Sequence, residues 1–269
     1  MSNPIITLLT DFGHEDTYVG QMKGAIYCIN PEVRIVDLTH EVARHDVVTG
    51  AMMLREAWSM FPAGTIHVGV VDPGVGGGRR AMAAESGGHL WVGPDNGLLI
   101  AAIRAASDEP RFVALEDSQL FREQISTTFH GRDKFAPVAA HLSLGLSLDQ
   151  LGPAFDDPTP TPTNAPVQEG NVLVGEVLRV DHFGNLVTNI RPEHLPGAPD
   201  QQVTAQIRGL PVEGIYSTYE QVEVGELLVL WGSGGFLEVS AREKSAARVI
   251  GADVGTSVVL SLSAKDAET

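Results

Sequence analysis

Polar side chains able to move protons or hold charge follow several strand-like runs of this sequence. Asp11, His14 and Asp16 come after IITLLT, Asp37 and His40 close RIVDLTH, and Asp72 ends TIHVGVVD. His130, Arg132 and Asp133 sit in HGRD, just before a helical run. A carboxylate or an imidazole can accept a proton from water, and a guanidinium can face negative charge. Ligands bind beyond the carboxyl ends of the strands in open parallel sheets, so these groups converge on one edge if the runs form such a sheet. Polarity alone is the ordinary property of loops; it is the recurrence at four places on one edge that points to a site.

Other chemistries find less support. No HExxH, CxxC or DxDxDG spacing is present, so no metal is expected. There is no GxSxG nucleophile elbow; WGSGG lacks the residue that the motif needs after serine. The glycines of VVDPGVGGGRR suggest a phosphate cradle, which requires a helix directly afterwards. Here RRAMAAES reads as a strand and the P-loop lysine is missing. Those glycines then serve either close approach of the backbone to a ligand or an ordinary turn.

The elements that position these residues divide into two halves. In the first, IITLLTDF, RIVDLTH and TIHVGVVDP read as strands. Between them, TYVGQMKGAIYCI carries Val19, Met22, Ala25, Ile26 and Ile29 on one helical stripe, and DVVTGAMMLREAWSMF starts at Asp46, where a carboxylate suits orphan amides. MAAESGGHLWVG reads as a hairpin turning at Gly87–Gly88, and helices resume at NGLLIAAIRAA and DKFAPVAAHLSLG. Alternating strands and helices imply a mainly parallel sheet covered by helices. Residues 153–167 hold five prolines and read as an extended linker. From residue 168 to 269 short strands alternate with Gly, Pro and Asn, with one helix near Ser245–Ile250, giving an antiparallel sheet or small barrel. The expected fold is therefore an N-terminal α/β domain over 1–152 and a C-terminal antiparallel β-barrel domain.

Bulk properties narrow the partners. The 269 residues are 43% hydrophobic, normal for a folded chain, and carry a formal charge of −16, which disfavours nucleic acid. No run approaches the roughly 20 apolar residues of a membrane span. Ile5–Leu9 is too short for a signal h-region, so a soluble, cytoplasmic protein is expected. The single cysteine, Cys28, excludes a disulfide within the chain and reads as a core thiol.

Taken in order, DFGHEDTYVGQMKG, DLTHEV, VVDPGVGGGRR, VGPDNGLL, FHGRDKFAP, DHFGNLVTNI and GSGGFLEVSA resemble the S-adenosylmethionine hydroxide adenosyltransferases, relatives of halogenating enzymes that attack the same carbon. The resemblance spans nearly the whole chain. It implies hydrolysis of S-adenosyl-L-methionine to adenosine and L-methionine, with no cofactor, in a homotrimer whose sites lie between one subunit's N-terminal domain and the next subunit's C-terminal domain. It also implies a catalytic Asp72, Arg79 and His130. Arg79 and Arg80 are neighbours, and on a strand they point to opposite faces, so one of them reaches the site; the motif favours Arg79. By the same resemblance Asp11 holds the ribose hydroxyls and Asp16 lies near the substrate. Phe183 and Asn185 contact the nucleoside, and Ser233 meets the methionine carboxylate. Two departures stand out: Gly234 follows Ser233 where halogenating relatives have arginine, and Glu243–Lys244–Ser245 replaces the usual asparagine near adenine. A halogenase and a non-catalytic nucleoside sensor are the alternatives; an anionic Asp72 argues against halide, and the intact Asp–Arg–His set against a sensor.

Overall fold

The structure, a computed structural model, describes residues 4–195 and 201–264. The chain forms two compact units, residues 1–162 and 163–269.

The first unit holds β1 (Ile5–Thr10), α1 (Tyr18–Tyr27), β2 (Arg34–Thr39), α2 (Val47–Ala57), β3 (Ile66–Val70), β4 (Ala81–Ser86) and β5 (His89–Pro94). After these come α3 (Ile100–Ala106), β6 (Arg111–Ala114), α4 (Ala136–Ser143) and β7 (Ala154–Phe155). Seven strands pair in the order β2-β1-β3-β5-β4-β6-β7. β1 pairs in parallel with β2 and β3, and β3 with β5; the remaining pairings are antiparallel. Each face of the sheet is covered. Ile6, Leu8, Val68 and Val70 pack with Met22 and Ile26 of α1 and with Val138 and Leu142 of α4. Leu9, Met82 and Trp91 pack with Leu54 of α2 and Ile103 of α3 on the opposite face. Burial on both faces explains why β1 and β3 read as continuous apolar runs rather than alternating ones.

This topology makes a crevice. From β1 the chain crosses to β2 on one side; from β2 it returns past β1 to β3 on the other. The connections diverge beyond the carboxyl ends of β1 and β3, which is where such sheets bind ligands. Asp11 follows β1 and Asp72 lies two residues beyond β3. The local signals behind the framework are direct. Asp46 caps α2, its Oδ1 accepting the Thr49 N–H at 2.9 Å. β4 and β5 form the hairpin turning at Gly87 and Gly88, both at positive φ.

Two local features differ from expectation. Cys28 is exposed, not buried: it follows the last residue of α1, off the buried stripe of Val19, Met22, Ala25 and Ile26. The proline-rich segment is also more than a spacer. β7 pairs with β6, Thr159 N–H donates to Asp95 Oδ1 at 2.7 Å, and Thr161 Oγ1 donates to the Gly97 carbonyl at 2.7 Å.

The second unit contains β8 (Val167–Glu169), β9 (Val172–Val180), β10 (Leu186–Thr188), β11 (Gln201–Ile207), β12 (Leu210–Glu213), β13 (Leu227–Trp231), β14 (Leu237–Ala241), α5 (Ala246–Ile250) and β15 (Ser257–Ala264). Its strands are ordered β12-β11-β15-β9-β10-β14-β13, with β8 on β9, and all are antiparallel neighbours. Tyr216, beyond β12, bridges to Leu230 of β13, so the ends of the path nearly close into a barrel. Leu173, Val177, Leu186, Val229, Val239 and Val258 fill its interior.

At the opposite end of the first unit's sheet from the crevice lies a buried histidine pair. Thr7 Oγ1 lies 2.8 Å from His67 Nδ1, and His67 Nε2 lies 3.1 Å from His89 Nδ1. Burial, reinforced by His89, pushes His67 from 6.5 down to about 3. The folded pKa is depressed, so the unfolded chain binds more protons between those values and stability is lost as pH falls through that window. One such group contributes a slope of roughly 1.4 kcal/mol per pH unit. Urea midpoints should therefore fall between pH 6.5 and 4, and more shallowly in His67→Gln; an unchanged pH slope in the variant would refute the assignment.

Candidate active site

Asp72 leaves β3 at the crevice with its side chain only 5% exposed, and a buried carboxylate needs a partner. Arg79 supplies it. Its Nε donates to Asp72 Oδ1 at 2.8 Å and a terminal nitrogen donates to Oδ2, giving the bidentate fork that guanidinium and carboxylate favour. The same terminal nitrogen lies 3.0 Å from His130 Nδ1, and the guanidinium sits 5.4 Å from the Phe135 ring centre. Arginine stays protonated, so Nδ1 of His130 accepts and a neutral ring carries its proton on Nε2. Burial lowers the His130 pKa, and the Lys134 and Arg79 charges lower it further against Asp72 and Asp133. The neutral form is thus the resident one.

Local backbone makes this meeting possible. The loop between Asp72 and Arg79 folds against the chain before His130. Gly76 has φ +76°, and a Cβ there would lie 2.3 Å from the Thr127 carbonyl oxygen. The glycine-rich run thus serves close approach of the protein to itself. His130 precedes a π-helical turn, Gly131–Phe135, that leads into α4. Such turns insert a residue into the helical ladder and frequently occur at functional sites. Arg80 points elsewhere: it pairs with Asp95 at 3.0 Å and Asp157 at 2.7 Å and lies 4.1 Å over the Phe155 ring.

Asp11, Asp16, Asp72 and His130 line one cavity of about 350 Å³, together with Phe12, Tyr18, Arg44, His45 and Phe129. Asp11 Oδ2 accepts the His45 N–H at 2.9 Å and holds His45 at φ +66°. The remaining strand-end candidates buttress this crevice. His40 is fully buried, its ring 2.8 Å from Thr10 Oγ1 and 3.0 Å from Asp37, which also takes Lys23 at 2.6 Å. Desolvation lowers the His40 pKa against the Asp37 attraction. Asp133, fully buried, accepts from Arg132 at 2.6 and 2.9 Å and from the Ser126 N–H at 2.8 Å. It anchors the segment before His130. Among the described residues, no three His, Cys, Asp or Glu side chains are grouped to hold a metal ion.

The second unit carries its own cavity of about 500 Å³, lined by Phe183, Asn185, Tyr219, Ala241, Glu243, Lys244 and Ser245. Asp181 organises its wall. It accepts from the Phe183 N–H at 2.9 Å, the Asn185 N–H at 2.8 Å and Asn185 Nδ2 at 2.9 Å. Asn185 is 6% exposed, while Phe183 presents its ring to solvent at 75%. Between them Gly184, at φ +87°, packs on Ser245, where a Cβ would collide with Oγ at 2.1 Å. Ser233 is not part of this wall; it is exposed on the turn between β13 and β14. Tyr219 is the lining residue that sequence reasoning missed. Burial raises its pKa, and Glu238 adds to the effect. Its only local signal is the Thr218 cap of a short 3-10 turn, which says nothing of a cavity.

The chain matches two family models. Residues 6–152 match the SAM hydroxide adenosyltransferase N-terminal domain, and residues 175–259 match the C-terminal domain. It is 39% identical to the (R)-S-adenosyl-L-methionine hydrolase of Salinispora tropica, over 94% of this chain and 95% of that one. It is 37% identical to the (R)-S-adenosyl-L-methionine hydrolase of Thermus thermophilus, over 95% and 98%. A crystal structure of an uncharacterized conserved protein from Thermotoga maritima superposes with a TM-score of 0.86 at 35% identity, covering 95% of this chain and 99% of that one.

Proposed function

We propose that this chain, which belongs to the SAM hydroxide adenosyltransferase family, hydrolyses S-adenosyl-L-methionine to adenosine and L-methionine by attack of water on the 5′ carbon. The observation that carries the reading is the Asp72–Arg79–His130 network, with Asp72 and His130 facing a cavity at the strand crevice.

The chemistry suits these groups. A sulfonium is already a good leaving group. As the water oxygen bonds to the 5′ carbon, the carbon–sulfur pair passes to sulfur and gives the neutral thioether of methionine. The enzyme's main task is to hold water in line, about 3–3.5 Å from that carbon. His130 Nε2–H donates to this water and Asp72 accepts from it. Nδ1 of His130 is already occupied by Arg79, so the proton goes to Asp72. A carboxylate is a sufficient acceptor here because the proton is lost from an oxonium once the carbon–oxygen bond has formed. A positioned acceptor is worth about 10²–10⁴ in rate. A sulfonium needs no Lewis acid, so the proposal includes no metal and no cofactor.

Binding is divided between the two cavities. Asp11 takes the ribose hydroxyls with Oδ1, its other oxygen being occupied by His45. Asp16, on the wall of the same cavity, lies near the substrate. Phe183 stacks on the base, and Asn185, fixed by Asp181, reaches the nucleoside. Ser233 meets the methionine carboxylate. We propose that one subunit's first unit and the next subunit's second unit complete each site in a homotrimer. The support is that charged groups for the reaction and an exposed aromatic for the base lie in separate units.

Incubation with S-adenosylmethionine should release adenosine and methionine in equal amounts, undiminished by EDTA. Asp72→Asn, which keeps the shape and removes the charge, should lower turnover by about 10²-fold or more while affinity changes little. Wild-type turnover in that variant, or activity lost in EDTA and restored by one metal, would contradict the mechanism. Light scattering should give the trimer mass; a monomer at micromolar concentration would exclude the shared site.

A further inference from the structure

Arg44 is a cation without a role in the fold. It lies on the loop between β2 and α2 and lines the crevice cavity with Asp11, Asp16 and Asp72. An adjoining surface cavity of about 560 Å³ adds Glu15 and Glu41 to its surroundings. The Arg44 side chain nevertheless makes no ion pair or hydrogen bond among the described residues. Among the residues lining either cavity it is the one permanent cation.

The backbone around Arg44 is fixed. Val42 N–H donates to the Thr10 carbonyl at 3.4 Å, and Gly13 N–H donates to the His40 carbonyl at 2.8 Å. His45 is held at φ +66° by Asp11. A non-glycine residue in the left-handed region costs of order 1 kcal/mol or more and persists where its surroundings impose it. These hydrogen bonds hold the backbone that carries Arg44 at the cavity wall.

An α-amino-acid ligand brings a carboxylate into a cavity that already holds three aspartates, of which only Asp72 is matched by a guanidinium. That carboxylate needs a facing cation. Ser233 offers a neutral hydroxyl on an exposed turn. We infer that Arg44 binds the α-carboxylate of the substrate's methionine end and thereby selects the amino-acid form over decarboxylated sulfonium nucleosides. This inference rests on the proposed hydrolysis and adds a specificity residue to the same site.

The test compares S-adenosylmethionine with its decarboxylated analogue in wild type, Arg44→Ala and Arg44→Lys, recording KM and kcat for adenosine release. Arg44 is exposed, so the variants should fold. Wild type should prefer the intact substrate. Arg44→Ala should raise KM for it about 10-fold with kcat nearly unchanged, leave the analogue's KM unaltered, and so cut the preference about 10-fold. Arg44→Lys should recover part of it. If wild type cleaves S-adenosylmethionine but Arg44→Ala leaves both KM values unchanged, or raises both equally, the inference falls alone. If wild type releases no adenosine from either compound, the hydrolase reading falls and takes this inference with it.

Discussion

Much of the first unit's crevice follows from the need to pair one buried carboxylate. Asp72 stands at the end of β3 with almost no exposure, where an unmatched charge would cost several kcal/mol. Pairing it with Arg79 makes the intervening loop double back. That return brings Gly76 against the backbone of Thr127, a contact that no side chain at position 76 permits. The same guanidinium then reaches His130 and decides its tautomer. One ion pair thus sets a loop conformation, a required glycine and the proton position on an imidazole.

The hydrogen-bond directions separate the roles of the three groups. Arginine stays protonated, so His130 Nδ1 and both Asp72 oxygens accept from Arg79. Lys134 and Arg79 both disfavour a charged imidazole, and burial does so more strongly. The surrounding carboxylates do different work. Asp37 and Asp133 are held by Lys23 and His40 and by Arg132, and they brace the loops. Asp11 both bends the 45 region and lines the cavity. The second unit has another character: an exposed phenylalanine, a fixed asparagine and a tyrosine line its cavity beside Glu243 and Lys244, so aromatic surface and charge of both signs meet there.

The parts legible in the sequence are those governed by local rules. The apolar runs of β1 and β3, the stripe of α1, the Asp46 cap and the Gly87–Gly88 hairpin each depend on neighbours within a few residues. The Arg79–Arg80 parity is of the same kind, since adjacent side chains of an extended segment diverge. What was not legible depends on distant contacts. The π-helical turn before α4, Gly131–Phe135, has no composition of its own that would mark it. β6 and β7 are short and gain strand character only from pairing beside β4. Cys28 directly follows a helix that the sequence located, but its exposure depends on which side of that helix's end meets the sheet. Tyr219 and Arg44 line cavities whose walls come from separated segments, so no spacing could mark them. Ser233 was placed by motif alone, and the turn that carries it leaves it away from the cavity of its own unit.

Attack of water at the 5′ carbon, with sulfur leaving, is tested most directly by running the reaction in water enriched in heavy oxygen and analysing both products by mass spectrometry. Adenosine should carry one heavy oxygen, located on the 5′ hydroxyl, and methionine should carry none. Unlabelled adenosine, or methylthioadenosine accompanied by a labelled amino acid, would contradict attack at this carbon.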